Sequence, residues 1–205
     1  MRLTRAEARQ RNREALIEAA VAEMAVKGYA AARLEDIAER AEVTTGAIYS
    51  IFGSKQGLLA ATIEHLGLRI GAATADLESP ELTLPEVLRG LAGLYFRTAV
   101  SDGAHRQMAF ELEATGAALR DPAVGEILRA AVTDAVDQCF AGLLTDRRIT
   151  AAPKASRTTA EQAHRLAVAA TALLSGLAQR AVLAPGTVTE DEFVSAALAL
   201  ASLAH

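Results

Sequence analysis

The stretch Leu34-Glu35-Asp36-Ile37-Ala38-Glu39-Arg40-Ala41-Glu42-Val43-Thr44-Thr45-Gly46-Ala47-Ile48-Tyr49-Ser50-Ile51-Phe52-Gly53-Ser54-Lys55-Gln56-Gly57-Leu58-Leu59 decides how this chain is read. Leu34, Ile37, Ala38 and Ala41 recur at i, i+3, i+4 and i+7, so a short amphipathic helix is expected over about 34–41. A second short helix is expected over about 45–52, with Ile48, Ile51 and Phe52 turned inward. Two short helices separated by about three residues have the spacing of a helix-turn-helix, in which one helix braces the other for insertion into a DNA major groove. Gly53-Ser54 then breaks the pattern, and Ser54 is placed to cap a helix carrying Leu58, Leu59, Ile63 and Leu66.

Upstream, residues 5–27 read as one helix with Leu16, Ala19, Ala20 and Met24 on one face and Gly28 as its stop. Downstream the helices lengthen and their start signals become explicit. Thr83-Leu84-Pro85-Glu86 is a capping box opening a helix to about 100, and a further helix occupies about 104–120. Asp121-Pro122 opens a helix to about 146. Thr158-Thr159-Ala160-Glu161 opens one ending near Pro185-Gly186, with Glu161 read as the third residue of its box; Thr189-Glu190-Asp191-Glu192 opens the last. Residues 146–158 lack periodicity and read as a mobile loop. No segment alternates as a strand, so the expected fold is all-α.

The totals agree with a globular helical protein. The chain has 205 residues, 51% hydrophobic and 22% charged, with 4% aromatics. Its formal charge of −4 is unevenly spread. Arg2, Arg5, Arg9, Arg11 and Arg13 face the single acid Glu7 at the N-terminus, whereas residues 67–205 hold 12 basic and 16 acidic side chains. A basic arm on an acidic body suits a protein that turns one face to phosphates. The lone Cys139 excludes an intramolecular disulfide and fits a reducing compartment. With no signal-like or membrane-spanning stretch read from the sequence, a cytoplasmic protein is expected.

The motifs Ile37-Ala38-Glu39-Arg40-Ala41, Gly46-Ala47-Ile48-Tyr49-Ser50-Ile51-Phe52 and Gly53-Ser54-Lys55 closely resemble the DNA-binding domain of the TetR family, as do the alanines before Lys27-Gly28-Tyr29. The resemblance spans about residues 10–66. It implies an N-terminal three-helix helix-turn-helix domain (1–53), a connecting helix (54–66) and a C-terminal helical domain for ligand binding and dimerisation (67–205). It also implies double-stranded DNA with a palindromic operator as partner, a small-molecule inducer and a homodimer, with no cofactor.

Tyr49 and Lys55 match family positions that contact phosphates; packing of Tyr49 on the first helix and a solvated Lys55 are the alternatives. Thr44 can cap the recognition helix or reach a phosphate. Thr45, Gly46, Ala47 and Ser50 are the candidates for base edges. None is Arg, Asn or Gln, so thymine methyls, hydroxyls and DNA shape must carry specificity. Arg5 and Arg9 are candidates for minor-groove or phosphate contacts.

Two positions depart from the family pattern. Glu42 stands where glycine is usual, which places a side chain at positive φ in the turn. Ala32-Arg33 replaces the hydroxyl that usually caps the second helix, leaving Arg33 to contact phosphate directly.

In the second block, Leu128, Val132, Ala135, Cys139 and Leu143 form one apolar stripe and Leu166, Ala170, Leu173, Leu177 and Ala181 another. They suit either a dimer interface or intramolecular core. Tyr95 and Thr98 on one helix, with Met108, Glu111, Leu112 and Thr115 on the next, combine apolar surface with polar tips. That combination suits a cavity for a largely apolar ligand or an ordinary core. Catalysis and metal binding have little support: the Glu-x-x-His element of di-iron bundles occurs once, at Glu161–His164, where two are required. A helical adaptor or a metal-binding bundle without DNA affinity is the alternative to a DNA-binding regulator.

Overall fold

The computed structural model describes residues 4–150 and 156–204. Among them every regular element is helical: α1 Arg5–Ala31, α2 Leu34–Arg40, α3 Thr45–Phe52, α4 Lys55–Ala73, α5 Leu84–Ala99, α6 Ala104–Ala118, α7 Pro122–Leu128, α8 Ala135–Leu144, α9 Ala160–Leu183 and α10 Glu190–Ala199. Short 3-10 turns at Ala75–Leu77 and Leu200–Ala204 and a π-helical stretch at Arg129–Asp134 complete the set. Arg2 of the basic arm lies outside the described residues.

The helices start where capping chemistry places them. Thr83 and Glu86 exchange hydrogen bonds, with the Thr83 amide donating to Glu86 Oε2 at 2.7 Å, and Thr189 and Glu192 do the same at the start of α10. The Ala123 amide donates to Asp121 Oδ1 at 2.9 Å at the start of α7. At α9 the cap is one residue later than expected. Thr159 pairs with Gln162, while Glu161 forms an exposed ion pair with Arg165 and has no part in the box.

The chain folds as two compact units. The first holds the chain up to Gly67 together with Arg106–Val132, and the second holds Leu68–His105 and Thr133–His205. The core of the first unit joins Leu16, Ala20 and Met24 of α1 to Ile37, Ile48, Leu58, Leu59 and Ile63, and also to Phe110, Ala114, Ala117 and Val124. The helices at 106–128, read from sequence within the C-terminal block, therefore complete the core of the N-terminal helices. Phe110, Ala114 and Ala117 sit at i, i+4 and i+7, so one α6 stripe enters that core.

The helix expected over 122–146 is interrupted by the π segment at 129–134. A π turn adds a residue and rotates the face that follows. The stripe read from sequence is broken accordingly: Ala135 is exposed and Cys139 half-buried, while Val136, Phe140, Leu143 and Leu144 enter the core of the second unit. α9, at 24 residues, is long and apolar enough by composition to cross a bilayer. Here Ala163, Leu166, Ala167, Ala170, Leu174, Ala178 and Ala181 form a buried stripe, so it serves as the core helix of its unit.

Within the stretch 146–158 read from sequence as a loop, 151–155 lie outside the described residues, and the residues on either side of them are hydrogen-bonded to each other. The Ile149 amide donates to the Ser156 carbonyl at 3.0 Å and the Thr158 amide to the Arg147 carbonyl at 2.9 Å, so the two flanks pair antiparallel. Arg147, only 5% exposed, donates from Nε to the Leu143 carbonyl at 2.5 Å, from Nη2 to that of Leu77 at 3.1 Å and from Nη1 to that of Ser79.

Candidate nucleic-acid interface

The turn between α2 and α3 is built by backbone geometry. The Glu42 amide donates to the Glu39 carbonyl and the Val43 amide to the Ala38 carbonyl, both at 3.0 Å. These are the two bonds of a Schellman motif, with Glu42 at its left-handed position, φ 55°. Glycine takes that conformation without a steric penalty, whereas a side chain costs about 1–2 kcal/mol. Glu42→Gly is therefore expected to raise stability by about 1 kcal/mol, seen in a thermal scan as an increase in Tm of about 2–4 °C. An unchanged or lower Tm would show that Glu42 is compensated by contacts of its own.

A charge cluster bolts α2 to α1. Glu23, with its side chain 8% exposed, pairs with Lys27 at 2.8 Å and with Arg40 Nε at 2.8 Å, and Lys27 also reaches Asp36 at 2.8 Å. The Lys27 ammonium, then Arg40, holds the Glu23 carboxyl below its ordinary value of 4.5. A carboxylate whose folded value is lowered stabilises the protein above its unfolded value, and that contribution disappears as pH falls through the folded one. Glu23→Gln should therefore destabilise the protein at neutral pH, with the gap from wild type closing as pH falls below about 4.5. Denaturant unfolding across that range tests this, and a gap independent of pH would contradict it.

Beyond Glu23 and Lys27, Gly28 adopts φ 78° and ψ 157°, a region open to glycine and closed to other residues. This breaks α1 where the sequence places the stop and turns Tyr29 and Ala30 toward Lys55. Lys55 Nζ donates to the Ala30 carbonyl at 3.0 Å and lies 5.0 Å from the centre of the Tyr29 ring. Burial lowers the Lys55 ammonium from its ordinary value. The ammonium is thus pre-positioned at the start of α4.

Ser54 Oγ accepts from the Gly57 amide at 3.0 Å, as a cap does. Gly57 packs so close to the end of α3 that a Cβ there would lie 2.1 Å from the Phe52 carbonyl oxygen. The α3–α4 corner thus requires glycine at 57. This requirement escapes sequence reading because it arises from close approach rather than from periodicity.

α3 is anchored by Ile48, fully buried, and shows Gly46, Tyr49 and Ser50 on its exposed side at i, i+3 and i+4. Tyr49 is 57% exposed, which leaves its hydroxyl at the surface rather than packed on α1. Thr45 and Ala47 flank this face half-buried, and Thr44 is exposed at the N-cap with no side-chain capping bond, unlike the cap expected of it. Arg33 is exposed at the start of α2, 3.7 Å from Glu35, and does not cap the helix through its side chain. The turn and the α3–α4 corner thus bring Thr44, Gly46, Tyr49, Ser50 and Lys55 onto the helix-turn-helix.

The ligand candidates are divided between the units. Tyr95 and Thr98 belong to the second; the Tyr95 ring meets Phe140 edge-on, centroids 6.2 Å apart, and Thr98 is exposed. Met108, Glu111, Leu112 and Thr115 belong to the first. Thr115 donates to the Glu111 carbonyl of its own helix at 2.8 Å, and Leu112 is 47% exposed. Desolvation raises the Glu111 carboxyl above its ordinary value, partly offset by a hydrogen bond from Gln107 at 3.0 Å. A groove of about 280 Å³ in the second unit is lined by Val100, Ser101, His105, Val182, Pro185 and Val188 among others, and by none of these six candidates. Among the described residues no group of three or more His, Cys, Asp or Glu side chains could hold a metal ion.

Residues 16–62 match the family described as bacterial regulatory proteins, tetR family. Over 97 residues the chain is 32% identical to the HTH-type transcriptional repressor NicS of Pseudomonas putida, a match covering 45% of this chain and 46% of NicS. The chain thus spans about half the length of that curated relative. A transcriptional regulator from Pseudomonas aeruginosa PAO1 shares the fold with a TM-score of 0.73 at 20% identity, covering 93% of this chain and 88% of that one. The multidrug binding protein EbrR complexed with proflavin shares it with a TM-score of 0.60 at 22% identity, covering 92% of this chain and 99% of EbrR. The helix-turn-helix built on Ile48, Gly57 and the Glu42 turn thus lies within the stretch, residues 16–62, that is similar to the tetR family of bacterial regulatory proteins.

Proposed function

We propose that this chain is a cytoplasmic, homodimeric transcriptional repressor that a small, largely apolar ligand releases from a palindromic operator. The observation that carries the reading is the exposed α3 face of Gly46, Tyr49 and Ser50 beside a pre-positioned Lys55. Thr44, Tyr49, Lys55 and Arg33 contact phosphates, and Thr45, Gly46, Ala47 and Ser50 approach base edges. The DNA-binding domain is residues 1–53, the helix 54–66 connects it onward with Lys55 at its DNA end, and residues 67–205 sense ligand and dimerise. Support for the dimer comes from apolar side chains left at the surface, Val168 (45% exposed) and Leu183 (64%) on α9. The repressor NicS and the proflavin complex of EbrR support repression and ligand sensing.

Two recognition helices enter successive major grooves when they lie one DNA turn apart, about 34–36 Å. A ligand that prefers another spacing weakens DNA binding by its differential affinity for the two forms. α4 is the lever: it carries Lys55 at one end and runs on to Ala73, seven residues beyond the end at Leu66 read from sequence.

Lys55→Ala tests the site. It should weaken binding to every duplex by about 1.5–3 kcal/mol and lower the slope of log K against log salt by about 0.9. Affinity and slope both unchanged would refute the phosphate assignment.

A further inference from the structure

We propose that Arg5, Arg9 and Arg13 form a second phosphate-binding row, carried on α1 beside the recognition helix. The proposal rests on the reading of α3 as that helix. The three residues are spaced i, i+4 and i+8, so they share one face and span about 12 Å of helix. Ala8 and Asn12 border the row on one side, and its face carries no acid over its first turns. Glu7 is engaged elsewhere: its carboxylate accepts from the Thr4 amide at 2.7 Å in the capping box that starts α1. Glu14 lies on another face, bonded to Gln10 at 2.6 Å.

The row is fixed against α3 by two contacts. Arg9 Nη2 donates to the Ser50 carbonyl at 3.2 Å, and the Arg13 guanidinium carbon lies 6.0 Å from the centre of the Phe52 ring. Both partners belong to the C-terminal half of α3, whose dipole favours cations. The row also answers a deficit. Thr45–Phe52 contains no charged residue, while Glu35, Glu39 and Glu42 of α2 and its turn are exposed acids. Phosphate affinity must come from cations outside α3, and the N-terminal turns of α1 supply them.

The structure favours phosphates over the minor groove as the target. From Arg5 onward the chain is a capped helix, and a helix about 10–12 Å across does not enter a groove about 6 Å wide. The row can instead lie along the backbone flanking the major groove.

The test compares the full-length wild type, an Arg5→Gln/Arg9→Gln variant and a charge-keeping Arg5→Lys/Arg9→Lys variant. Their probes are random-sequence duplex DNA and the duplex recovered by selection. Two lost phosphate contacts should lower the salt slope by about 1.8 in the glutamine variant on both probes, with the lysine variant close to wild type. A wild-type slope in the glutamine variant would overturn the proposal, as would a loss confined to A·T-flanked duplexes at unchanged slope. A wild type that binds no duplex even at low salt would instead overturn the reading of α3 itself.

Discussion

Replacing Ile48 by alanine should lower stability by about 2–5 kcal/mol and take DNA binding with it. Ile48 is fully exempt from solvent, is the one buried residue of α3, and packs in the cluster of Leu16, Ala20, Ile37, Leu58 and Leu59. Truncation removes the transfer energy of three carbons and leaves a cavity that three surrounding helices cannot close without moving α3. Because α3 has only eight residues, it cannot hold its shape without that anchor. Ile48→Val, at about 0.5–1.5 kcal/mol, should bind DNA nearly as well as wild type. Denaturant unfolding and duplex titration on the pair provide the check. Normal affinity in a stable Ile48→Ala protein would show that α3 is held from elsewhere.

A comparable loss is expected in the second unit from Arg147→Ala, about 2–4 kcal/mol, because partly or fully buried carbonyls left without donors cost about 1–3 kcal/mol each. Desolvation lowers the Arg147 guanidinium from its ordinary value, yet it stays charged and binds backbone oxygens of Leu143, Leu77 and Ser79. It thereby ties the segment after α4 to the end of α8. Arg147→Lys should rescue little, since one ammonium cannot reproduce a planar fork of donors pointing in two directions. Urea unfolding of the three proteins distinguishes the cases; full stability in the lysine variant would mean that charge alone suffices there.

Local signals made much of this legible from sequence. The short helices around 34–52, the break at Gly28 and the capping boxes at Thr83 and Thr189 follow from side chains acting within a few residues, whereas the positive φ at Glu42 is expected only from the resemblance. What escaped depends on contacts distant in sequence or on backbone approach. Phe110, Ala114 and Ala117 resemble any apolar stripe, and nothing in their spacing says that they fill a core with Leu16 and Ile48. The π stretch at 129–134 leaves no mark on composition yet rotates the face beyond it. Arg147 sits in a run that reads as a mobile loop for want of periodicity, because its partners are carbonyls, and carbonyls are invisible in a sequence. Within the candidate interface, the family resemblance told which side chains belong together, but the hold of Ala30 and Tyr29 on Lys55 and the tightness at Gly57 came only from the fold.

The central claim is sequence-specific DNA binding by a dimer. Its most direct test is selection of bound duplexes from random DNA by the purified protein, with the mass of the complex recorded. A palindrome enriched in a complex holding two copies of the chain, or a pair of such dimers, is the result expected. No enrichment at low salt, from protein shown to be folded, would contradict it.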